Sequence, residues 1–139
     1  MKKVTIFIKG CQKSQESDDE CFELTTDGEY TREGGVTSFS YTESELTGYV
    51  GKQTTFSVED DMVVLTRADG MNGKLIFSRA QKHNFLYETE FGSMMMGVDT
   101  HNLSQNFNED GGELEIEYDI DVDNVVISRN TFEIIVRPA

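Results

Sequence analysis

Tryptophan is absent from this 139-residue sequence, proline occurs once, and no apolar run is long enough to cross a membrane. A transmembrane helix needs about 20 predominantly apolar residues. Two lysines precede the apolar run Val4–Ile8, but that run contains Thr5 and is too short for a secretory signal. We therefore predict a cytoplasmic protein that does not insert into membranes.

Basic residues are scarce as well, with 12 Lys and Arg against 26 Asp and Glu and a net charge of −14. No Lys or Arg occurs from His83 to Ser128. Such a charge repels phosphate backbones, so we expect no nucleic-acid partner. Disordered chains of high charge are poor in aromatic residues, whereas this one has five Tyr and nine Phe. We expect a folded protein.

Motifs that carry chemistry are also missing. The glycine-rich phosphate-binding motifs do not occur, and His83 and His101 are too few for a zinc site. The run Asp119–Asp123 begins like a calcium-binding loop, but Asn124 replaces the required Gly and Asn130 the required Glu. No pattern indicates an enzyme, so we predict no catalytic residues, no metal and no cofactor.

The two cysteines, Cys11 and Cys21, flank a polar loop. With no histidine nearby they make a poor metal site. Because cytosolic proteins keep thiols reduced, we expect free thiols. The alternative is a disulfide across the mouth of a hairpin.

What the sequence does contain is alternation with a period of two. From Gly112 to Val122 every second residue is apolar and the residues between them are acidic, which is typical of a strand with one buried face. The acids predict an outer face consisting of Glu113, Glu115, Glu117, Asp119 and Asp121. By the same rule we expect the following residues to face inward: Val4, Ile6, Ile8, Leu75, Phe77, Phe85, Tyr87, Phe91, Met94, Met96, Val98, Leu114, Ile116, Tyr118, Ile120 and Val122.

Ten strands are predicted, separated by turn sequences. The strands are Lys2–Lys9, Cys21–Thr26, Val36–Glu43, Gln53–Val58, Met62–Ala68, Lys74–Arg79, Asn84–Phe91, Ser93–Thr100, Glu113–Val122 and Val125–Val136. The turns are Asp27-Gly28, Gly34-Gly35, Thr47-Gly48, Glu59-Asp60-Asp61, Asp69-Gly70, Asn72-Gly73 and Asp110-Gly111-Gly112. This pattern favours one all-β domain over residues 1–139.

Some strands are apolar on both faces, among them Met62–Leu65 and Thr131–Val136. Closure of the sheet into a barrel would hide more of this apolar surface than an open sheet, and so would a partner chain such as a second copy in a homodimer. A barrel also removes exposed sheet edges. We predict an antiparallel up-and-down β-barrel of about 8–10 strands.

Several polar residues fall at positions where the alternation points inward. They are Arg67, Tyr87, Thr89, Thr100 and Tyr118. A buried guanidinium needs acceptors for its donors. Either these residues form an internal polar network, or Arg67 anchors an acidic group of a small ligand at the barrel mouth.

Several segments resemble the YwiB-like family. They are FELTTDGEY, SYTESELTG, GKQTTFSV, TRADG around Arg67, YETEFG, VDT, EYDI around Tyr118, and ISRNTFEI. The resemblance follows the whole chain in order. It implies a small bacterial barrel of the calycin type, similar to lipocalins, and it supplies no activity, catalytic residue or cofactor.

Two functions are most consistent with these features, and an enzyme ranks third because no motif supports a reaction. The leading one is a non-enzymatic protein that binds a small apolar or anionic ligand in or at the mouth of the barrel, through Arg67, Tyr87, Thr89, Thr100 and Tyr118. The alternative is an interaction module with a solidly packed barrel, whose acidic outer face binds a basic protein.

Overall fold

The computed structural model describes residues 2–14, 20–42, 53–67, 74–79, 81–89 and 91–139, with the backbone alone for 67 and 87–89. Its strands are β1 (Lys2–Ser14), β2 (Glu20–Glu33), β3 (Val36–Thr42), β4 (Gln53–Val58), β5 (Met62–Arg67), β6 (Lys74–Ser78), β7 (His83–Thr89), β8 (Gly92–Asn108), β9 (Gly111–Val122) and β10 (Val125–Pro138). All ten predicted strands are present. Within the described residues, no helix that could cross a membrane is present.

The ten strands form one antiparallel sheet that curls into a nearly closed barrel. Their order is β6-β5-β4-β3-β2-β1-β10-β9-β8-β7. Every hydrogen-bonded neighbour is therefore also a neighbour in sequence, except for the pairing of the first and last strands. β6 approaches β7 and β8 at the remaining gap. The predicted all-β up-and-down barrel is confirmed.

Alternation sorts the side chains between an inner and an outer face, as predicted. Leu114, Ile116 and Tyr118 of β9 are buried, whereas Glu113 and Glu115 are exposed. Fully buried side chains come from most of the strands, and the largest are Ile6, Tyr30, Phe39, Phe56, Leu65, Phe77, Leu114, Ile116 and Ile134. Burial of each such side chain contributes about 1.5–3 kcal/mol.

Two residues predicted to be buried are not. Phe91 lies in the turn between β7 and β8 and is 96% exposed, and Met94 is exposed too. The reason is the length of β9, whose pairing with β8 begins at Met96 and Val122. Phe91 and Met94 therefore lie beyond the end of the β8–β9 pairing.

The strand boundaries differ from the prediction at several points. The predicted turn Asp27-Gly28 is wrong, because β2 continues through it to Glu33. A Cβ atom on Gly28 would lie 2.4 Å from the Ser40 carbonyl oxygen and 2.5 Å from Ile6 Cδ1. The glycine therefore serves close packing inside a strand, a role that the sequence pattern does not distinguish from a turn.

Other turns agree with the prediction. Gly34 and Gly35 turn the chain between β2 and β3 with φ values of 58° and 81°. In the predicted turn Glu59-Asp60-Asp61, Glu59 N donates to Met62 O at 2.8 Å. The predicted turns Thr47-Gly48, Asp69-Gly70 and Asn72-Gly73 lie outside the described residues.

Candidate functional site

A polar row crosses the inner face of the barrel at the end where β1 stops and β2 starts. In consecutive strand pairs Thr100 faces Tyr118, Tyr118 faces Asn130, Asn130 faces Gln12, and Gln12 faces Glu20. Thr100, Tyr118 and Asn130 are buried, and Gln12 and Glu20 are exposed. The row thus passes from the barrel interior to solvent.

Beside this row lies a cleft of about 400 Å³, within the usual size range of small-ligand sites. It is lined by Gly10, Cys11, Gln12, Glu20, Cys21, Phe22, Tyr118, Asn130, Thr131 and Phe132. Apolar rings dominate its inner part. The Tyr118 ring stacks on Phe132 with centroids 6.0 Å apart and also contacts Phe77 at 4.7 Å.

Gly10 makes room for the aromatic part of the cleft. A Cβ atom at this position would lie 2.5 Å from Phe22 Cε1 and 3.3 Å from Phe132 Cε1. Because glycine lacks that atom, the two rings approach each other over the backbone of β1. The aromatic surface therefore depends on a glycine that the sequence pattern did not single out.

The polar groups at this end are unequally satisfied. Asn130 Nδ2 donates to Ser128 Oγ at 3.1 Å. The Thr100 residue is only 7% exposed, and its hydroxyl has no hydrogen-bond partner in the described part of the chain. A buried hydroxyl without a partner costs about 1–3 kcal/mol, so proteins retain few such groups.

The structure brings together two of the five predicted ligand residues. Thr100 and Tyr118 are directly opposite each other and buried. For the other three only the backbone is described: Arg67 pairs with the buried Thr54, Tyr87 with Met94, and Thr89 with Gly92. Their contribution to the cleft stays a prediction.

Sequence reasoning missed Asn130, Phe22 and Phe132. Asn130 was detectable, because it occupies an inward position of β10 in phase with Ile134 and Val136, as Thr100 does on β8. Phe22 belongs to the half of β2 next to the polar loop. The sequence does not show which strand pairs there, so it did not show that Phe22 faces inward.

The predicted acidic outer face divides into two parts. Glu113, Glu115 and Glu117 are exposed. The prediction is wrong for Asp119 and Asp121, which are only 6% and 4% exposed. Alternation puts both on the outer face, but long side chains of neighbouring strands and of the segment before β7 cover them there.

Asp119 is covered by two partners. The register between β8 and β9 shifts between Thr100 and Asn102, so His101 is the extra residue of a β-bulge. His101 Nε2 lies 2.7 Å from Asp119 Oδ2, and Arg129 Nε donates to Asp119 Oδ1 at 3.2 Å. Burial by itself would raise the pKa of Asp119, but the hydrogen bonds with His101 and Arg129 outweigh it and lower that pKa.

Asp121 pairs with Lys82, whose Nζ lies 2.5 Å from Asp121 Oδ2. Gly97 permits this contact, because a Cβ atom there would lie 2.5 Å from Lys82 Cε and 2.6 Å from Asp121 Oδ1. Both buried aspartates lie on the opposite face of β9 from Tyr118. They stabilise the outside of the sheet and do not reach the cleft.

The expectation of free thiols is also wrong. Cys11 and Cys21 face each other on β1 and β2 and form a disulfide, with their Cα atoms 4.1 Å apart. β1 and β2 stay in register up to Gln12 and Glu20. This register places the two sulfur atoms within bonding distance on the outer face of β1 and β2, and both residues line the cleft.

Comparison with known proteins supports the fold and leaves the activity open. A family model described as "Domain of unknown function (DUF1934)" matches residues 6–134. The crystal structure of the YwiB protein from Bacillus subtilis superposes with a TM-score of 0.81 at 19% identity, over 99% of this chain and 92% of that one. No curated protein matches significantly. The resemblance to the YwiB-like family is confirmed.

Proposed function

We propose that this chain, which belongs to the DUF1934 family, is a non-enzymatic protein that binds a small apolar or anionic molecule in the cleft at the barrel mouth. The observation that carries the proposal is the cleft itself, in which Phe22, Tyr118 and Phe132 offer aromatic surface next to solvent-exposed polar residues. Ligand sites commonly combine an apolar surface with a few polar groups that fix orientation.

Polar residues at one end of the cleft would fix the orientation of a ligand. Asn130 lines the cleft, and Thr100 adds a buried hydroxyl directly across from Tyr118. A ligand group that accepts a hydrogen bond from Thr100 would remove the cost of its missing partner. Glu20 is the charged residue of the described lining, so recognition of an anion depends on Arg67.

Native mass spectrometry of the protein as purified is the first test, because it reports bound small molecules and subunit number together. Titration calorimetry then compares two probes, neutral 1-naphthol and the anion 1-anilinonaphthalene-8-sulfonate. We expect one probe molecule per chain. Phe22→Ala should weaken both probes about tenfold, equivalent to about 1.4 kcal/mol.

Leu24→Ala is the matched control for this titration. Leu24 is partly buried on the same face of β2 as Phe22 and packs on the same core, but it does not line the cleft. It should leave both affinities unchanged. Arg67→Met should weaken the sulfonate alone. Binding that is absent, or that responds equally to both β2 variants, contradicts the proposal.

A second candidate is supported by the outer face. Glu115 of β9 is directly opposite Glu133 of β10, and both line a groove of about 290 Å³ with Glu113. Like charges directly opposite each other are destabilising, and a basic protein segment would relieve that repulsion.

Binding of a lysine-rich peptide tests this candidate, and it should be lost on Glu113→Lys plus Glu117→Lys. Peptide binding should be kept in the control variant Asp27→Lys plus Glu29→Lys, which makes the same charge change on β2. Unchanged binding in the Glu113→Lys plus Glu117→Lys variant refutes this candidate.

A further inference from the structure

The Cys11–Cys21 disulfide lies at the surface of the cleft wall. Both cysteines line the cleft, together with their neighbours Gln12 and Glu20. Cys21 is exposed and Cys11 partly exposed. Disulfides that small thiols can reach are more easily reduced than buried ones. This bond is therefore open to exchange in the folded protein.

The strand segment that the disulfide holds has a hydrogen-bonded neighbour on one side only. β2 pairs with β1 over Lys2–Gln12, but its pairing with β3 begins at Gly28. Within the described residues, Glu20–Asp27 is thus an edge segment supported by β1 alone. It carries Phe22 and Glu20 into the cleft, so its position decides the shape of the site.

We propose that Cys11–Cys21 is a redox-sensitive modification site that controls the cleft. The oxidised form clamps Glu20–Asp27 to β1 and keeps Phe22 against Phe132. The reduced form releases the free end of this edge segment and weakens ligand binding. This inference rests on the proposed function, since it assigns a regulation to the same cleft.

The exchange is a two-electron reaction with a dithiol. One thiolate of the dithiol attacks the exposed Cys21 Sγ; the Cys11–Cys21 bond breaks as the mixed disulfide forms, and Cys11 leaves as a thiolate. Lys9 and Lys13 lie two residues to either side of Cys11 on the outer face of β1, and their charges stabilise that leaving group. The second thiol then attacks the dithiol's own mixed-disulfide sulfur and releases Cys21. The dithiol ends as a cyclic disulfide, and its two protons pass to the two cysteines.

Hydrogen exchange and probe binding test the proposal on the full chain. In dithiothreitol, exchange of the backbone amides of residues 20–27 should rise about tenfold, while residues 111–122 of β9, which pair on both sides, stay protected. The dissociation constant for 1-naphthol should rise about fivefold. Cys11→Ser plus Cys21→Ser should behave as the reduced protein and should not respond to dithiothreitol.

The outcomes separate the two proposals. If naphthol binds and its affinity is the same in both redox states, the control of the cleft is refuted and the binding function stands. If naphthol binds neither form, the binding function fails and the control of the cleft fails with it. Unchanged exchange in residues 20–27 also refutes the inference, whatever the probe does.

Discussion

Thr100 is the residue at which stability and function make the most clearly opposed demands, because its hydroxyl is buried. It has no hydrogen-bond partner in the described part of the chain, and an apolar group of the same shape would suit its surroundings better. Thr100→Val should therefore raise the free energy of unfolding by about 1 kcal/mol in urea titrations. The same change should weaken 1-naphthol binding, because a hydrogen-bonding group is lost.

Thr131→Val is the control for this prediction. Thr131 lines the cleft, but it is partly exposed on the outer face of β10. Its replacement should change the free energy of unfolding by less than about 0.5 kcal/mol. A Thr100→Val protein that is less stable than the wild type would show that the hydroxyl is satisfied in the folded state.

Asp119 makes a pH-dependent contribution to stability. Its folded-state pKa lies below the value in the unfolded chain, which is about 3.9. The ionised carboxylate therefore stabilises the folded state above about pH 4, and this contribution is lost as the pH falls through the lowered pKa. Asp119→Asn should lower the free energy of unfolding by about 1–2 kcal/mol at pH 7, and the difference should shrink towards pH 3.

Glu117→Gln provides the comparison, since Glu117 is exposed on the same face two residues earlier. Urea titrations at pH 7, 5 and 3 should show little effect of this change. A destabilisation by Asp119→Asn that is equally large at pH 3 would mean that the partners of Asp119 do not act through its charge.

For single residues, the sequence predicted the inward or outward direction of a side chain where that direction depends only on the residue's own strand. The positions of Thr100 and Tyr118 follow from alternation alone, and the structure places them inside the barrel. The burial of Asp119 and Asp121 depends instead on His101, Arg129 and Lys82. Those side chains come from neighbouring strands or an adjoining turn, and one of them reaches Asp119 through a bulge, which no single-strand pattern reveals.

At the scale of the strand, the existence of each element was predictable and its ends were not. β1 extends to Ser14 and β8 to Asn108, well past the predicted Lys9 and Thr100. In both strands the polar residues continue to pair with β10 or β9. Hydrogen bonding to a neighbour can extend a strand beyond its apolar alternation.

The disulfide between β1 and β2 gives a prediction about stability at this scale. It joins residues separated by 10 positions, and closing a loop of that size restricts the unfolded chain by about 2–3 kcal/mol. Cys11→Ser plus Cys21→Ser should lower the free energy of unfolding by that amount in urea. The wild type in dithiothreitol should match the variant; equal stability of the oxidised and reduced wild type would contradict the prediction.

For the whole molecule, the barrel follows from features that the sequence states repeatedly. Ten alternating segments separated by turns leave an up-and-down order as the simplest connection, and closure reduces the sheet edges that ten strands would otherwise expose. The sequence did not predict that β1 pairs with β10, or that the gap in the barrel lies between β6 and β7. Alternation within a strand carries no information about which non-consecutive strands pair.

The central claim is that one end of this barrel binds a small molecule on its inner face, and amide chemical shifts of the oxidised protein test it most directly. Titration of isotope-labelled protein with 1-naphthol should shift the signals of residues around the cleft, in particular Gly10, Phe22, Tyr118, Asn130 and Phe132. The shifts should saturate at one molecule per chain. Saturable shifts confined to Glu113–Glu117 on the outer face, or no saturable shifts at all, would contradict the claim.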